Sequence, residues 1–387
     1  MEEPKVRFKK DDGSSYPTWK EMPLGILVSD NLDPVPTPRE GYRRVGIYCH
    51  AKGTFQEDVP AEKVLDVDTM YRIHKDNLIV NITFAWEHAV AIVKPEDEGL
   101  LVSHRFPEYS FNAGQVPGFY KYLVLRPYFR NQLSLASPGG AGRNRVLNKA
   151  QFKKIPVSVP CEEEQQKIAD FLSSVDEVIS TSEAVVKNLK TQKKAVMKKI
   201  FSQEVRFKRA DGSDFPEWEE EELGAIALAK VGNKPDEIIE EKTEFEYINA
   251  GTTNSGYVNG YNRKGDVVTT PSRGQGGIGF VGYHEKAFWL GPLCYGIQSR
   301  VEHVMTKYLY FYLDNNSDCI LDCVKTGSIP AVNQEDLIQI LVSFPCLKEQ
   351  RLIADFLSDF DEAIAAAKKE LELWKELKKG LLQQMFV

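Results

Sequence analysis

The sequence predicts a mixed α/β protein: two globular domains joined by two long antiparallel helices that form a coiled coil, the whole built as a pseudo-twofold internal repeat. Three observations predict it. Residues 6–25 recur at 205–224 with 12 of 20 positions identical. Residues 160–179 recur at 345–364 with 13 of 20 identical. After each copy of the second motif, apolar residues alternate at spacings of four and three, the 3.5-residue mean of a helix-on-helix seam.

The leading motif, VRFKKDDGSSYPTWKEMPLG and its copy VRFKRADGSDFPEWEEEELG, opens each half. A variable region follows, 26–159 in the first half and 225–344 in the second, with little identity between them. Each is large enough to hold a core of its own. The chain therefore divides into a domain over 1–159, a helix over 160–204, a second domain over 205–344 and a second helix over 345–387. Pro160 and Pro345 mark the helix starts, with carboxylates in the first turns, where the macrodipole favours them. Along the seams, Leu172, Val175, Ile179, Val186 and Leu189 on the first helix and Leu357, Phe360, Ile364, Leu371 and Trp374 on the second are the pairing candidates. Both seams carry lysine at the eighth position, Lys193 and Lys378. An antiparallel pair suits this order, because it lets the segment after Phe201 run directly into the second half. Two helices that each pack only on their own domain are the plainer alternative.

Composition narrows the class. Apolar residues are 42% and charged residues 27%, ordinary for a globular protein, and no apolar run approaches a membrane span. Residues 1–5 offer no apolar leader, and six cysteines in 387 residues do not make a disulfide framework, so a reducing cytoplasm is expected. The net charge of −7 hides a local excess. Residues 121–154 carry eight Lys/Arg, and no Asp or Glu occurs from Tyr109 to Pro160. Within this stretch Lys121, Lys149 and the glycine-rich loop holding Arg143, Asn144 and Arg145 suit phosphate or base-edge contacts. Arg43, Arg44 and Arg105 join them from charge and loop position. The second variable region is acidic, with 18 Asp/Glu against 10 Lys/Arg over 219–344. Its contact candidates are Arg263, Lys264, Ser272, Arg273, Gln275 and Ser328.

Other motifs suggest chemistry but lack its context. Gly274-Gln-Gly276-Gly-Ile-Gly279 has dinucleotide-loop spacing, yet a strand is expected after it rather than a helix. Pro235-Asp236 with Glu240-Glu241-Lys242 reads as a solvated acidic turn. Cys319 and Cys323 lack the further ligands that zinc needs and are expected to be partly buried core thiols. No catalytic constellation, metal site or base-gripping Asn/Asp-Pro-Pro-Tyr/Phe segment emerges, which favours a binder over a stand-alone nuclease or methyltransferase. A scaffold with two protein-binding heads is the third possibility.

The arrangement resembles the DNA-specificity subunit of type I restriction–modification enzymes. The resemblance rests on Pro160 with Glu164-Gln165 and Ile168, repeated as Pro345 with Glu349-Gln350 and Ile353. Tyr42…Gly46-Ile47, Asp76-Asn77-Leu78-Ile79-Val80-Asn81…Trp86 and Ser137…Gly142…Arg145 support it. The second half departs where Pro330 stands in place of Arg145. The resemblance implies that each variable region is a target recognition domain reading half of a split site in double-stranded DNA. It implies two methyltransferase subunits docked on the helices, translocase–nuclease subunits in the full complex, and no membrane. It places S-adenosylmethionine, ATP and Mg on those partners and no cofactor on this chain.

Overall fold

A computed structural model describes residues 3–139, 145–274, 276–325, 327 and 329–386. The chain forms two compact units, 1–182 with 370–387 and 183–369. Helices Glu162–Phe201 and Leu347–Gln384 run through both, so each unit owns half of each helix.

The repeated motifs are explained by the contacts they make. In the first unit Arg7 sends Nε and Nη2 to the buried carboxylate of Glu164, at 3.1 and 2.8 Å. In the second, Arg206 does the same to buried Glu349, at 3.2 and 2.8 Å. Gln165 and Gln350 reach back to the Pro160 and Pro345 carbonyls. Their Oε1 atoms accept from the amides of Val116 and Met305, which precede the next helices. The Asp-Gly-Ser turns are held alike: Oδ1 of Asp12 or Asp211 takes the following serine's amide at 2.9 Å and hydroxyl at 2.6 Å. The intervening Gly13 and Gly212 sit at φ +82° and +83°, where L side chains strain. Gly25 and Gly224 are glycines for a different reason: a Cβ there would stand 2.9 Å from the Cβ of Lys153 or Ile338. A backbone bond from Val6 N to Gln384 O (3.0 Å) in the first unit recurs as Val205 N to Lys199 O (3.1 Å) in the second.

Within each unit the two helix segments run antiparallel. In the first, Asp176 meets Lys378 at 2.5 Å; in the second, Lys193 meets Asp361 at 2.7 Å. Asp361 is the repeat of Asp176, and Lys378 that of Lys193. The seam lysines thus cross to carboxylates on the opposite helix. Asp176 also accepts from Lys121 and the Tyr122 hydroxyl, both at 2.9 Å. Burial opposes ionisation of Asp176, but its two lysines prevail and hold its carboxyl below the usual range.

The variable regions share a frame that their sequences hide. The first holds a four-stranded antiparallel sheet in the order Val28–Asn31, Glu108–Phe111, Leu78–Val80, Val90–Ile92. The second holds Ala227–Val231, Cys294–Ser299, Val267–Pro271, Gly282–His284 in the equivalent order. Helices Pro117–Leu123 and Pro127–Leu135 pack on the first sheet's core, and Thr306–Asn315 on the second's. What differs is the added layer. The first region carries a five-stranded sheet around the hairpin Gly41–Ile47/Thr54–Pro60, whereas the second carries a small three-stranded one.

Candidate nucleic-acid interface

Three loops of the first unit are stitched into one surface by backbone bonds. Ile82 N donates to Arg105 O (3.0 Å), and Leu147 N donates to Ile82 O (2.9 Å). The segments after strand Leu78–Val80, before strand Glu108–Phe111 and before helix Lys149–Lys153 therefore lie side by side. The second unit repeats the scheme: Ser272 N donates to Leu293 O and Val332 N to Ser272 O, both at 2.9 Å. One backbone template thus carries two different sets of side chains.

On the first template Arg105 extends Nη1 to Thr83 Oγ1 at 3.3 Å and remains exposed. Lys149 is exposed at the start of its helix, whose cap is the Asn148 side chain accepting from Ala150 and Gln151. Lys149 borders a small recess with His104, Arg72 and Asn31. Arg72 and His104 were not among the sequence candidates, because only the fold brings them beside Lys149. Arg145 is spent differently. Its Nη2 donates to Ser134 O at 2.7 Å and its Nε to Ser137 O at 3.0 Å, while its guanidinium lies 5.3 Å from the Trp86 ring centre. It closes the C-terminal end of helix Pro127–Leu135. Arg143 and Asn144 precede it in sequence. Those two residues lie outside the described ones.

The remaining first-unit candidates divide. Arg44 lines a cleft of about 420 Å³ with Asn81, Phe84 and Ser103, so it borders the template, but Glu57 across the hairpin holds it at 2.8 Å. Arg43 forks onto Asp58 at 2.7 and 3.1 Å. That carboxylate, raised by nothing but its own slight desolvation, is held below the usual range by the guanidinium. Lys121 belongs to the helix junction at Asp176 and not to the template.

In the second unit Arg273 is exposed beside Ala331, to which it forms a backbone bridge. Ser272 is buried, and its backbone, rather than its hydroxyl, makes the template bonds. Leu293 stands where the first unit has Arg105 and is 37% exposed; Ile329, two residues before Ala331, is 53% exposed. Arg263 turns onto the Asn262 carbonyl at 2.9 Å and forms a backbone bridge with Phe288, next to exposed Lys264. Gln275 and Ser328 lie outside the described residues. The first template is cationic; the second mixes one arginine with apolar contacts.

The pairing candidates Leu172, Val175, Val186, Leu357, Ile364 and Leu371 are buried, and Ile179, Leu189, Phe360 and Trp374 are half-buried. Leu172 and Leu357 also enter the cores of their own units. The look-alike motifs resolve simply. Strand Gly282–His284 follows the glycine run, with no helix there. Cys319 is exposed, against the expectation of burial, because the short helix Ser317–Asp322 turns that face outward; Cys323 is half-buried and bonds the Cys319 carbonyl. Among the described residues no group of His, Cys, Asp or Glu is placed to hold a metal, and no helix is long and apolar enough to cross a membrane.

A duplicated frame with two unlike surfaces on one backbone template defines a two-headed recognition protein. Residues 63–191 and 216–373 match the family described as the type I restriction modification DNA specificity domain, and the chain belongs to that family. It is 25% identical over 348 residues to a protein described as the MjaX specificity subunit of a type I restriction enzyme, from Methanocaldococcus jannaschii, covering 85% of this chain and 80% of that one. The MjaVIII specificity subunit of the same organism is 27% identical over 199 residues, covering 48% and 46%. The fold is that of the S subunit of the type I restriction–modification system of M. genitalium, with a TM-score of 0.67 at 18% identity, covering 100% of this chain and 99% of that one.

Proposed function

We propose that this chain is the sequence-reading subunit of a type I restriction–modification assembly. Each variable region reads one half of a bipartite site in duplex DNA. The long helices set the spacer between half-sites and dock two methyltransferase subunits, with translocase–nuclease subunits completing the restriction complex. The chain itself catalyses nothing and works in the cytoplasm. S-adenosylmethionine, ATP and Mg act on the partners.

The observation that carries this reading is the duplicated three-loop template within a chain of this family. Base edges are read by exposed side chains on a fixed backbone, and changing those side chains changes the bases without disturbing the frame. Arg105, Lys149 and Arg72 supply cationic contacts in the first unit, and Arg273 supplies one in the second. Phosphate contacts release counterions, so affinity must fall steeply with salt. In fluorescence anisotropy with duplex DNA bearing the cognate site, the pair of substitutions Arg105→Ala and Lys149→Ala should weaken binding and lower the slope of log K against log salt by about 1–2. An unchanged slope would remove these residues from the interface. Methyl transfer by the chain alone would contradict the non-catalytic role.

A further inference from the structure

Cations withdrawn from solvent in the first unit have oxygen partners: Arg7 takes Glu164, Lys378 takes Asp176, and Arg145 takes two carbonyls. Arg126 differs. It precedes Pro127 at the N-terminus of helix Pro127–Leu135, and its Nε is buried without a hydrogen-bond partner. Burial is the one influence on its ionisation, lowering its pKa with no counter-charge in opposition. A guanidinium whose Nε is buried without a partner costs free energy that a ligand reaching its open side could return.

The side chain lines a cavity of about 230 Å³. Trp19, Tyr128, Phe129 and Phe386 supply aromatic walls, and Leu123 and Val157 add apolar surface. Glu21 is the single carboxylate in the lining; it is exposed and makes no ion pair with Arg126. A dry apolar cavity of about 150 Å³ suffices for benzene, so this one has room for a ring and a small charged group. The helix N-terminus adds positive potential at the arginine's end. Arg126 and the aromatic wall therefore ask for opposite things of one ligand: a planar anion and an apolar body. A hydrated phosphate would meet only the first demand.

We infer that this cavity binds a carboxylate carried on an aromatic or branched apolar body. The guanidinium of Arg126 forks onto the two carboxylate oxygens, and the body lies against Trp19 and Phe386. The second unit keeps a tryptophan and a phenylalanine in its frame, Trp218 and Phe201, but has no arginine between residues 301 and 325, so the site is private to the first unit. This site is separate from the DNA-reading role and does not depend on it.

The test titrates the full chain with phenylacetate, phenylacetamide, inorganic phosphate and the tripeptide Gly-Gly-Phe, by calorimetry and by tryptophan fluorescence. Phenylacetate should bind saturably at one site, at least ten-fold more tightly than its amide or phosphate, and Arg126→Met should abolish binding. Tighter binding of Gly-Gly-Phe than of phenylacetate assigns the carboxylate to a peptide end; the reverse assigns it to a free aromatic acid. Glu21→Gln, which removes a like charge from the cavity lining without touching the core, should tighten phenylacetate binding. The inference is overturned if phenylacetate does not saturate, if the amide or phosphate binds equally, if folded Arg126→Met binds like the parent, or if Glu21→Gln leaves affinity unchanged.

Discussion

His284 shows what a single half-buried side chain does to the second unit. Its ring stacks on Phe288 at 4.4 Å and its Nε2 meets Thr269 Oγ1 at 3.1 Å, with no carboxylate to share a proton. Burial pushes its pKa down to about 4 from 6.5. Between those values the unfolded chain binds the extra proton and the folded unit does not. Stability from this group is therefore complete above about pH 6.5 and lost as pH falls toward 4, a change of about 3 kcal/mol. Thermal melting followed from pH 7 to 4.5 should show a smaller fall for His284→Gln than for the parent; an identical fall would mean the ring titrates freely. Such environments are not written in sequence. Arg145 was legible as an important loop arginine, but its partners are the carbonyls of Ser134 and Ser137, which every residue possesses. Arg43 and Arg44 looked free because their carboxylates lie 15 and 13 residues away and meet them only through the hairpin register.

Elements were more readable where the pattern is local. Apolar residues at 3.5-residue spacing announced both long helices, and of the seam positions none is exposed. The lysines at the eighth position were visible as an oddity; their reason, a carboxylate on the opposite helix, was not. Lys193 is only 8% exposed, so each pair trades desolvation against attraction. Breaking the first-unit pair with Lys378→Met leaves Asp176 with one lysine and should cost about 1–3 kcal/mol in urea unfolding. Adding Asp176→Leu should recover part of that loss, because the carboxylate left short of a partner is gone and Lys121, which it also held, is half exposed to solvent. A single substitution without effect, or a double one as costly as the sum, would show that the pair does not couple the helices. The four-stranded sheets escaped sequence reading for the opposite reason. Their strands are three to six residues long and pair with distant segments. The template bonds also change offset, from 185 residues at Leu147/Val332 to 190 at Ile82/Ser272, so no single alignment shift reveals them.

At the scale of the whole molecule, duplication is the organising fact. The frame repeats its ion pairs, turns and sheet order in both units, while the exposed side chains on the template diverge. Selection for a common fold and for two different recognition tasks accounts for that division: residues that fix the backbone are held in duplicate, and residues on the surface are free to differ. The fold class, the repeat and the family were legible because they rest on local motifs stated twice. The reading residues were only partly legible, because the decisive positions are defined by which loops lie side by side. The most direct measurement is the methylated sequence itself. With the chain co-produced with the methyltransferase subunits proposed for it, methylated sites are mapped for the parent, for Arg105→Ala with Lys149→Ala, and for Arg273→Ala. The account predicts that the double substitution relaxes one half of the bipartite sequence and Arg273→Ala the other, each leaving the opposite half intact. Relaxation of both halves by either change would contradict it.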